Sequence, residues 1–220
     1  MDTKFSFKEN NIESLNIDNY IKIFEIIRLE YQNYCTSWMQ TTEYTINLKK
    51  KNVCDIFSIN SGINKEFKVY MDSFIDGLEE LYFKIISRIS EEVGVNTRGR
   101  VKEPQSILYK LYKKNEDNYG KYPVIKCLND LLGIRIIDDS YKENINKIIT
   151  YLNSIEYNVK HMERNNNGYI GYHVYFKLKK NIYFPIELQI WDSKNEQNNI
   201  NSHILYKQDY IVWKDKYNNL

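Results

Sequence analysis

Apolar residues recur three and four apart in the first half of the chain, and the pattern turns to short runs and alternation in the second. Between Asn19 and Tyr34, Ile23, Ile26, Ile27 and Tyr34 fall at helical spacing among charged residues, which predicts an amphipathic helix. From Met71 to Val93 the apolar positions are Phe74, Ile75, Leu78, Leu81, Tyr82, Ile85 and Ile89, which predicts one helix with a single buried face. A shorter helix is predicted from Gln105 through Tyr112.

The period then changes. Leu131 to Ile137 is an apolar run ending at Asp138 and Asp139, and reads as a buried strand. Ser140 and Glu143 have the spacing of a capping box ahead of Ile145, Ile148, Ile149 and Leu152, which predicts a helix. Tyr157 to Met162, Tyr169 to Leu178 and Tyr183 to Trp191 read as further strands, with Pro185 near the start of the last, where a missing N–H is tolerated. Asn167-Gly168 marks a turn, and Lys179-Lys180-Asn181 suggests a hairpin connection. The stretch from Asn198 to Tyr210 reads as a polar helix. Together these elements make an α/β domain, a central sheet of about four or five strands with helices packed on it and at both ends. No repeat or Pro/Gly/Ser-rich linker interrupts it, so the simplest division is a helical extension over residues 1–65 joined to one domain over 66–220.

Composition narrows the field of functions. With 220 residues the chain can bury one sizeable core. A net charge of +2 makes the molecule as a whole a poor magnet for nucleic acid, so any such contact must come from local clusters. Lys49, Lys50 and Lys51 form one such cluster, which reads either as a solvated loop or as a phosphate-binding patch. The N-terminus lacks the apolar core of a signal peptide and no stretch has the length of a membrane span, so a cytoplasmic protein is expected. Cys35, Cys54 and Cys127 fit no zinc spacing and no disulfide framework, and read as reduced thiols.

Four segments carry candidate chemistry. In the first, Gly99 offers a turn before Arg100, Lys102, Ser106 and Lys110, three fixed cations and a hydroxyl close in sequence. Ser106 and Lys110 share a helix face, and the set suits a polyphosphate, Arg supplying bidentate or stacking contacts and Lys a point charge. A basic surface loop has the same composition. In the second, Asp130 stands at the mouth of the apolar strand that contains Arg135, and a carboxylate there could hold Mg²⁺ or simply end a turn. In the third, Tyr169 and His173 follow the Asn-Gly turn at matching strand parity. An exposed tyrosine ring is a stacking platform for a base, and the histidine could meet phosphate or sugar; an ordinary hairpin with aromatic core residues is the alternative. In the fourth, Glu187 and Gln189 lie on one face of an apolar strand. An inward carboxylate needs a partner or a metal, and could also serve as base to an attacking hydroxyl, whereas a solvated face needs neither.

RVKEPQSILYK from Arg100, DLLGIRI from Asp130, NGYIGYH from Asn167 and IELQI from Ile186 occur in that order. Together they resemble the synthetase domain of the RelA/SpoT family, over Arg98 to Lys207. The resemblance implies a nucleotidyltransferase-like fold with a mixed sheet, ATP as pyrophosphate donor, AMP as product and Mg²⁺ as cofactor. By motif, Arg100 and Arg135 are implied to sandwich adenine, and Lys102, Ser106 and Lys110 to grip phosphate. Asp130 and Glu187 are the implied catalytic pair and Mg²⁺ ligands, Tyr169 the platform for the acceptor base, and His173 and Gln189 its supports. The chain is similar to the small single-domain synthetases and shows no His-Asp hydrolase motif.

One departure bears on the acceptor. Alarmone-making members usually follow Glu-x-Gln-Ile with Arg-Thr, whereas Trp191 and Asp192 stand here. With His203 and the Lys207 to Tyr210 segment, this looks more like the toxic small synthetases, many of which place pyrophosphate on the 3′ CCA end of tRNA and stop translation. That resemblance implies tRNA as acceptor, with Lys49 to Lys51, Lys113 and Lys114 available to its phosphates, and a protein antitoxin as partner. The alternatives are synthesis of a small alarmone on GDP, GTP or AMP, and an inactive nucleotide-binding regulatory module.

Overall fold

A computed structural model of the chain describes residues 14–58, 62–155, 158–202 and 204–205. The first helix, α1 (Ile17–Thr41), starts at a reciprocal cap, in which the Asn16 and Asn19 side chains each accept the other's backbone N–H at 3.0 Å. Its buried stripe continues from Ile27 through Tyr31, Cys35 and Trp38, which carries the helix beyond the expected end at Tyr34. Lys49 and Lys50 lie in a turn whose N–H groups are held by the Asn47 side chain.

The single helix expected from Met71 to Val93 is two, α2 (Lys65–Ile75) and α3 (Leu78–Val93). Asn64 caps α2, accepting the Phe67 N–H at 2.9 Å. Gly77 is where the chain breaks, because the Tyr34 ring of α1 lies where a side chain would be: a Cβ there would sit 2.7 Å from Tyr34 Cε2. The Tyr34 hydroxyl donates to the Phe74 carbonyl, satisfying one of the acceptors that the end of α2 leaves open.

Two short strands, β1 (Phe57–Ser58) and β2 (Gly62–Ile63), pair with each other. The main sheet holds β3 (Arg98–Val101), β4 (Leu132–Ile137), β5 (Asn158–Asn166), β6 (Tyr169–Lys177) and β7 (Ile186–Trp191) in the order β3-β4-β7-β6-β5. Only β4 and β7 are parallel among these neighbours, so the sheet is mixed, as expected. β5 and β6 form a two-residue hairpin through Asn167 and Gly168, both at positive φ (49° and 80°), the geometry that the Asn-Gly pair favours. β3 is a strand that the sequence reading did not foresee. Gly99 makes no turn; it lies inside β3 opposite Ile134, where the absent side chain lets the edge strand approach its neighbour.

The helix α4 (Pro104–Glu116) follows β3, the short α5 (Val124–Cys127) precedes β4, and α6 (Tyr141–Ser154) follows β4. The expected capping box at α6 does not form. Asp138 is fully buried, and the Ser140 hydroxyl turns to it at 2.7 Å instead of capping the helix. Tyr20 of α1 donates to the same carboxylate. Residues 193–202 are helical, while His203 and the Lys207 to Tyr210 segment lie outside the described residues.

The sheet divides its faces by parity. Ile134, Ile136, Val174, Phe176, Leu188 and Ile190 fill the core, and Phe24 of α1 meets Phe176 with centroids 6.2 Å apart. Phe184, just before β7, packs on Phe74 and Tyr70 of α2, and its carbonyl accepts the Tyr31 hydroxyl at 2.8 Å. Burial raises the thiol pKa of Cys127 to about 11, and all three cysteines are free, in line with inert thiols. No helix among the described residues is long and apolar enough to cross a membrane.

The close approach at Gly99 is testable. In Gly99→Ala the new Cβ meets the Gly133 carbonyl oxygen and comes within 3.1 Å of Ile134 Cα, both backbone atoms that cannot rotate away. The expected loss is about 1–3 kcal/mol, read as a lower urea midpoint with an unchanged slope.

Candidate active site

The second face of the sheet is polar at its centre. Register places Arg100, Gly133, Glu187 and Tyr175 in one row across β3, β4, β7 and β6, and Arg98, Arg135, Gln189 and His173 in the next. Strand parity brings all of them to one face. Arg98, Arg100, Asp130, Arg135, Glu187 and Gln189 line a cleft of about 330 Å³, to which Ile200 and Ile204 add apolar lining. A separate groove of about 430 Å³ between α1 and α2–α3 contains none of these residues.

Glu187 is only 4% exposed, on the central strand. Its Oε1 accepts from His173 Nδ1 at 2.7 Å and its Oε2 from Gln189 Nε2 at 2.7 Å. Burial pushes its pKa up, but the hydrogen bond and charge of His173 more than offset this, so the carboxyl lies below its ordinary value. Gln189 Oε1 in turn accepts from Arg135 Nε and Nη2 at 3.3 and 3.1 Å. Burial pulls the Arg135 guanidinium down to about 10. On the other side, His173 Nε2 meets the Tyr169 hydroxyl at 2.6 Å. The Tyr169 ring is half-buried rather than exposed, and burial raises its pKa.

Asp130 lies just before β4. Lys102 Nζ donates to its Oδ2 at 2.8 Å and Lys110 Nζ to its Oδ1 at 2.9 Å. Burial raises the pKa of Asp130, and the two ammonium groups overcome it and hold the carboxyl far below its ordinary range. Lys102 is 5% exposed, and burial lowers its pKa. Its backbone N–H binds the Leu131 carbonyl at 2.8 Å, which ties the start of α4 to the mouth of β4. Ser106 is half-buried on the first turn of α4, one turn before Lys110. Lys102 and Ser106 thus stand at the N-terminal end of a helix whose dipole also favours an anion, with Lys110 one turn further along.

All ten predicted site residues gather on or beside this face. Asp130 and Glu187 are both ionised oxygen donors: each Asp130 oxygen accepts from one lysine, and Glu187 accepts from His173, Gln189 and the Tyr175 hydroxyl, which still leaves each carboxylate a lone pair for a hard divalent cation. Three participants stand outside the expected set of site residues. Trp191, which the sequence marks only as a departure from the alarmone-making pattern, is fully buried beneath Arg135, with Arg135 Cζ 3.4 Å from its ring centroid. Tyr175 lies opposite Glu187, with its hydroxyl 3.4 Å from His173 Nδ1 and accepting from Arg164. Its parity with His173 was the available signal. Arg98, two residues before Arg100, lines the cleft and pairs with Glu196 at 2.8 Å.

The family described as "Region found in RelA / SpoT proteins" matches residues 99–210. No curated protein matches the chain. Among solved structures it is similar to small alarmone synthetase 1 from Bacillus subtilis bound to its product pppGpp, with 22% identity, 66% of this chain and 82% of that chain covered, and a TM-score of 0.42. It is also similar to smu.1046c from Streptococcus mutans UA159 (19% identity, 71% and 81% covered, TM-score 0.37). A third is the Type VI effector Tas1 in complex with its immunity protein (19%, 60% and 64%, TM-score 0.38).

The Asp130 cluster predicts a stability effect separate from any activity. Asp130→Asn leaves two ammonium groups around a neutral amide, one of them buried, and is expected to cost about 2–4 kcal/mol in urea unfolding. Adding Lys102→Met is expected to restore most of the loss. Because the folded pKa of Asp130 is depressed, the wild-type contribution is fully present above the unfolded value of about 3.9. It is lost as pH falls through the folded value, so the difference between wild type and Asp130→Asn narrows in acid.

Proposed function

The chain belongs to the RelA/SpoT family, and from that we propose that it is an ATP-dependent pyrophosphokinase that modifies the 3′ end of tRNA. The observation that carries the transfer chemistry is a pair of ionised carboxylates, Asp130 and Glu187, on one cleft with Arg98, Arg100 and Arg135, and with Lys102 and Lys110 bound to the first of them. A cleft of this charge suits a polyphosphate more than a neutral substrate.

The acceptor 3′-hydroxyl attacks the β-phosphorus of ATP, the bond from the β-phosphorus to the oxygen bridging it to the α-phosphorus breaks, AMP leaves with that oxygen, and the hydroxyl proton passes to solvent. Little covalent work falls to the protein, so its contribution is positioning and charge neutralisation. Arg100 and Arg135 hold the adenine, while Lys102, Ser106 and Lys110 hold the phosphates at the start of α4. Asp130 and Glu187 are the groups that would hold Mg²⁺, which supplies charge neutralisation on the phosphoryl oxygens. The interactions that keep Glu187 ionised also make it a weak base, so its second role is to accept the hydrogen bond of the attacking hydroxyl and orient it. The acceptor base lies against Tyr169.

The choice of tRNA draws on the basic residues beyond the cleft. Lys177 and Lys160 lie on the same sheet face as Glu187, Lys160 directly opposite Tyr175. Burial lowers the pKa of Lys177, and the charges of Lys160, Lys126 and Lys49 lower it further, so four cations cluster past the end of the catalytic rows. Cations beyond the cleft suit the successive phosphates of an acceptor stem more than a single nucleotide. Pyrophosphorylation of the terminal ribose blocks its esterification by an amino acid. The protein therefore inhibits translation and is held in check by an antitoxin partner.

The test is transfer from ATP labelled on its terminal phosphate, in Mg²⁺, to deacylated tRNA, to tRNA lacking its terminal adenosine, and to GDP, GTP and AMP. Label is expected on intact tRNA alone. Label on the free nucleotides instead replaces tRNA with an alarmone acceptor, and label on none removes the pyrophosphokinase reading, leaving a binding module. Glu187→Gln is expected to lower kcat by at least about 100-fold, and wild-type expression to arrest growth while Glu187→Gln expression does not. Lys160→Ala with Lys49→Ala is expected to raise the KM for tRNA and flatten its salt dependence, with the KM for ATP unchanged.

A further inference from the structure

Resting on the pyrophosphokinase reading, we propose that Trp191 is a positioning residue that joins the donor and acceptor halves of the site. The indole is fully buried, and two groups assigned to different substrates use it at once. Its ring carries the Arg135 guanidinium at 3.4 Å, a stacking distance. Its Nε1–H donates to the Tyr169 hydroxyl at 2.9 Å, with the two rings edge to face at 5.7 Å. Gly171 provides the space, since a Cβ there would lie 2.8 Å from indole Cδ1 and 3.2 Å from the Tyr169 hydroxyl.

These contacts close a ring: Trp191 to Tyr169, Tyr169 to His173, His173 to Glu187, Glu187 to Gln189, Gln189 to Arg135, and Arg135 back to the indole face. Two directions in it are fixed by chemistry, since the indole can only donate and the ionised Glu187 carboxylate can only accept. Tyr169 therefore accepts from the indole, and its hydroxyl stands 2.6 Å from His173 Nε2. Without the indole N–H, the Tyr169 ring loses the contact that holds its hydroxyl beside His173. Trp191 thus positions the adenine-facing guanidinium and the acceptor platform through one buried side chain.

The test is a double-mutant cycle on Trp191→Phe and Tyr169→Phe, measured with ATP and the acceptor that the wild type uses. Phenylalanine keeps an aromatic ring under Arg135 and removes the N–H together with part of the ring volume, which the cycle with Tyr169→Phe separates from the loss of the hydrogen bond. Each single variant is expected to lower kcat and raise the acceptor KM, for a combined loss in kcat/KM of about five- to tenfold, with the ATP KM unchanged. The double variant is expected to be no worse than the worse single. Losses that multiply, or a Trp191→Phe enzyme equal to wild type, overturn the inference. A second readout needs no substrate. The indole N–H resonance of ¹⁵N-labelled Trp191, assigned with Trp191→Phe, is expected at a hydrogen-bonded position in the wild type and to move upfield in Tyr169→Phe. A Trp191 indole resonance unmoved in Tyr169→Phe overturns the inference even where no acceptor is labelled. Absence of transfer by the wild type, by contrast, is a failure of the parent reading alone.

Discussion

A carboxylate buried on the middle strand of the sheet is the constraint around which the site is arranged. An isolated charge in such a place carries a large desolvation penalty and would take up a proton unless hydrogen bonds were supplied. Glu187 has β4 on one side and β6 on the other, so its partners must come from side chains on the same face. Gln189 and His173 meet that need, and each carries the demand outward, because a buried amide oxygen and a second imidazole nitrogen need partners too. Arg135 and Tyr169 answer them, and Trp191 receives both. One buried acid therefore accounts for the identity and order of the polar groups along three strands.

Asp130 is the opposite electrostatic case. Its charge is matched by two lysines from the β3–α4 connection and α4, so the cluster carries a net positive charge before any ligand arrives. The lysines that stabilise the carboxylate are also the groups assigned to the phosphates.

The apolar face explains why these charges stay in place. Phe24 and Tyr20 of α1 press on the reverse of the sheet and on Asp138, and the aromatic residues of α2 surround Phe184 at the entry to β7. Rigid packing behind β7 limits the strand's freedom, so Glu187 and Gln189 are held by backbone that cannot relax to expose them to water.

Sequence alone determined what periodicity determines. The alternation in β6 and β7 placed Tyr169 with His173 and Glu187 with Gln189, because strand parity is local and has a period of two. Asn167-Gly168 specified its turn for an equally local reason, the positive φ that those residues tolerate. Tertiary structure decided the rest. Residues 98–101 became a strand only because β4 lay beside them, and the helix from residue 65 broke at Gly77 only because Tyr34 occupied the space. Ser140 left its capping role because Asp138, buried by α1, needed a donor. Trp191 was visible as an unusual residue, but its function as a pedestal depends on Arg135 and Gly171, which are distant in the chain and adjacent only once β4, β7 and β6 are in register. Local propensity carries no information about which distant segment will supply a partner; burial and hydrogen-bond satisfaction across the assembled sheet do.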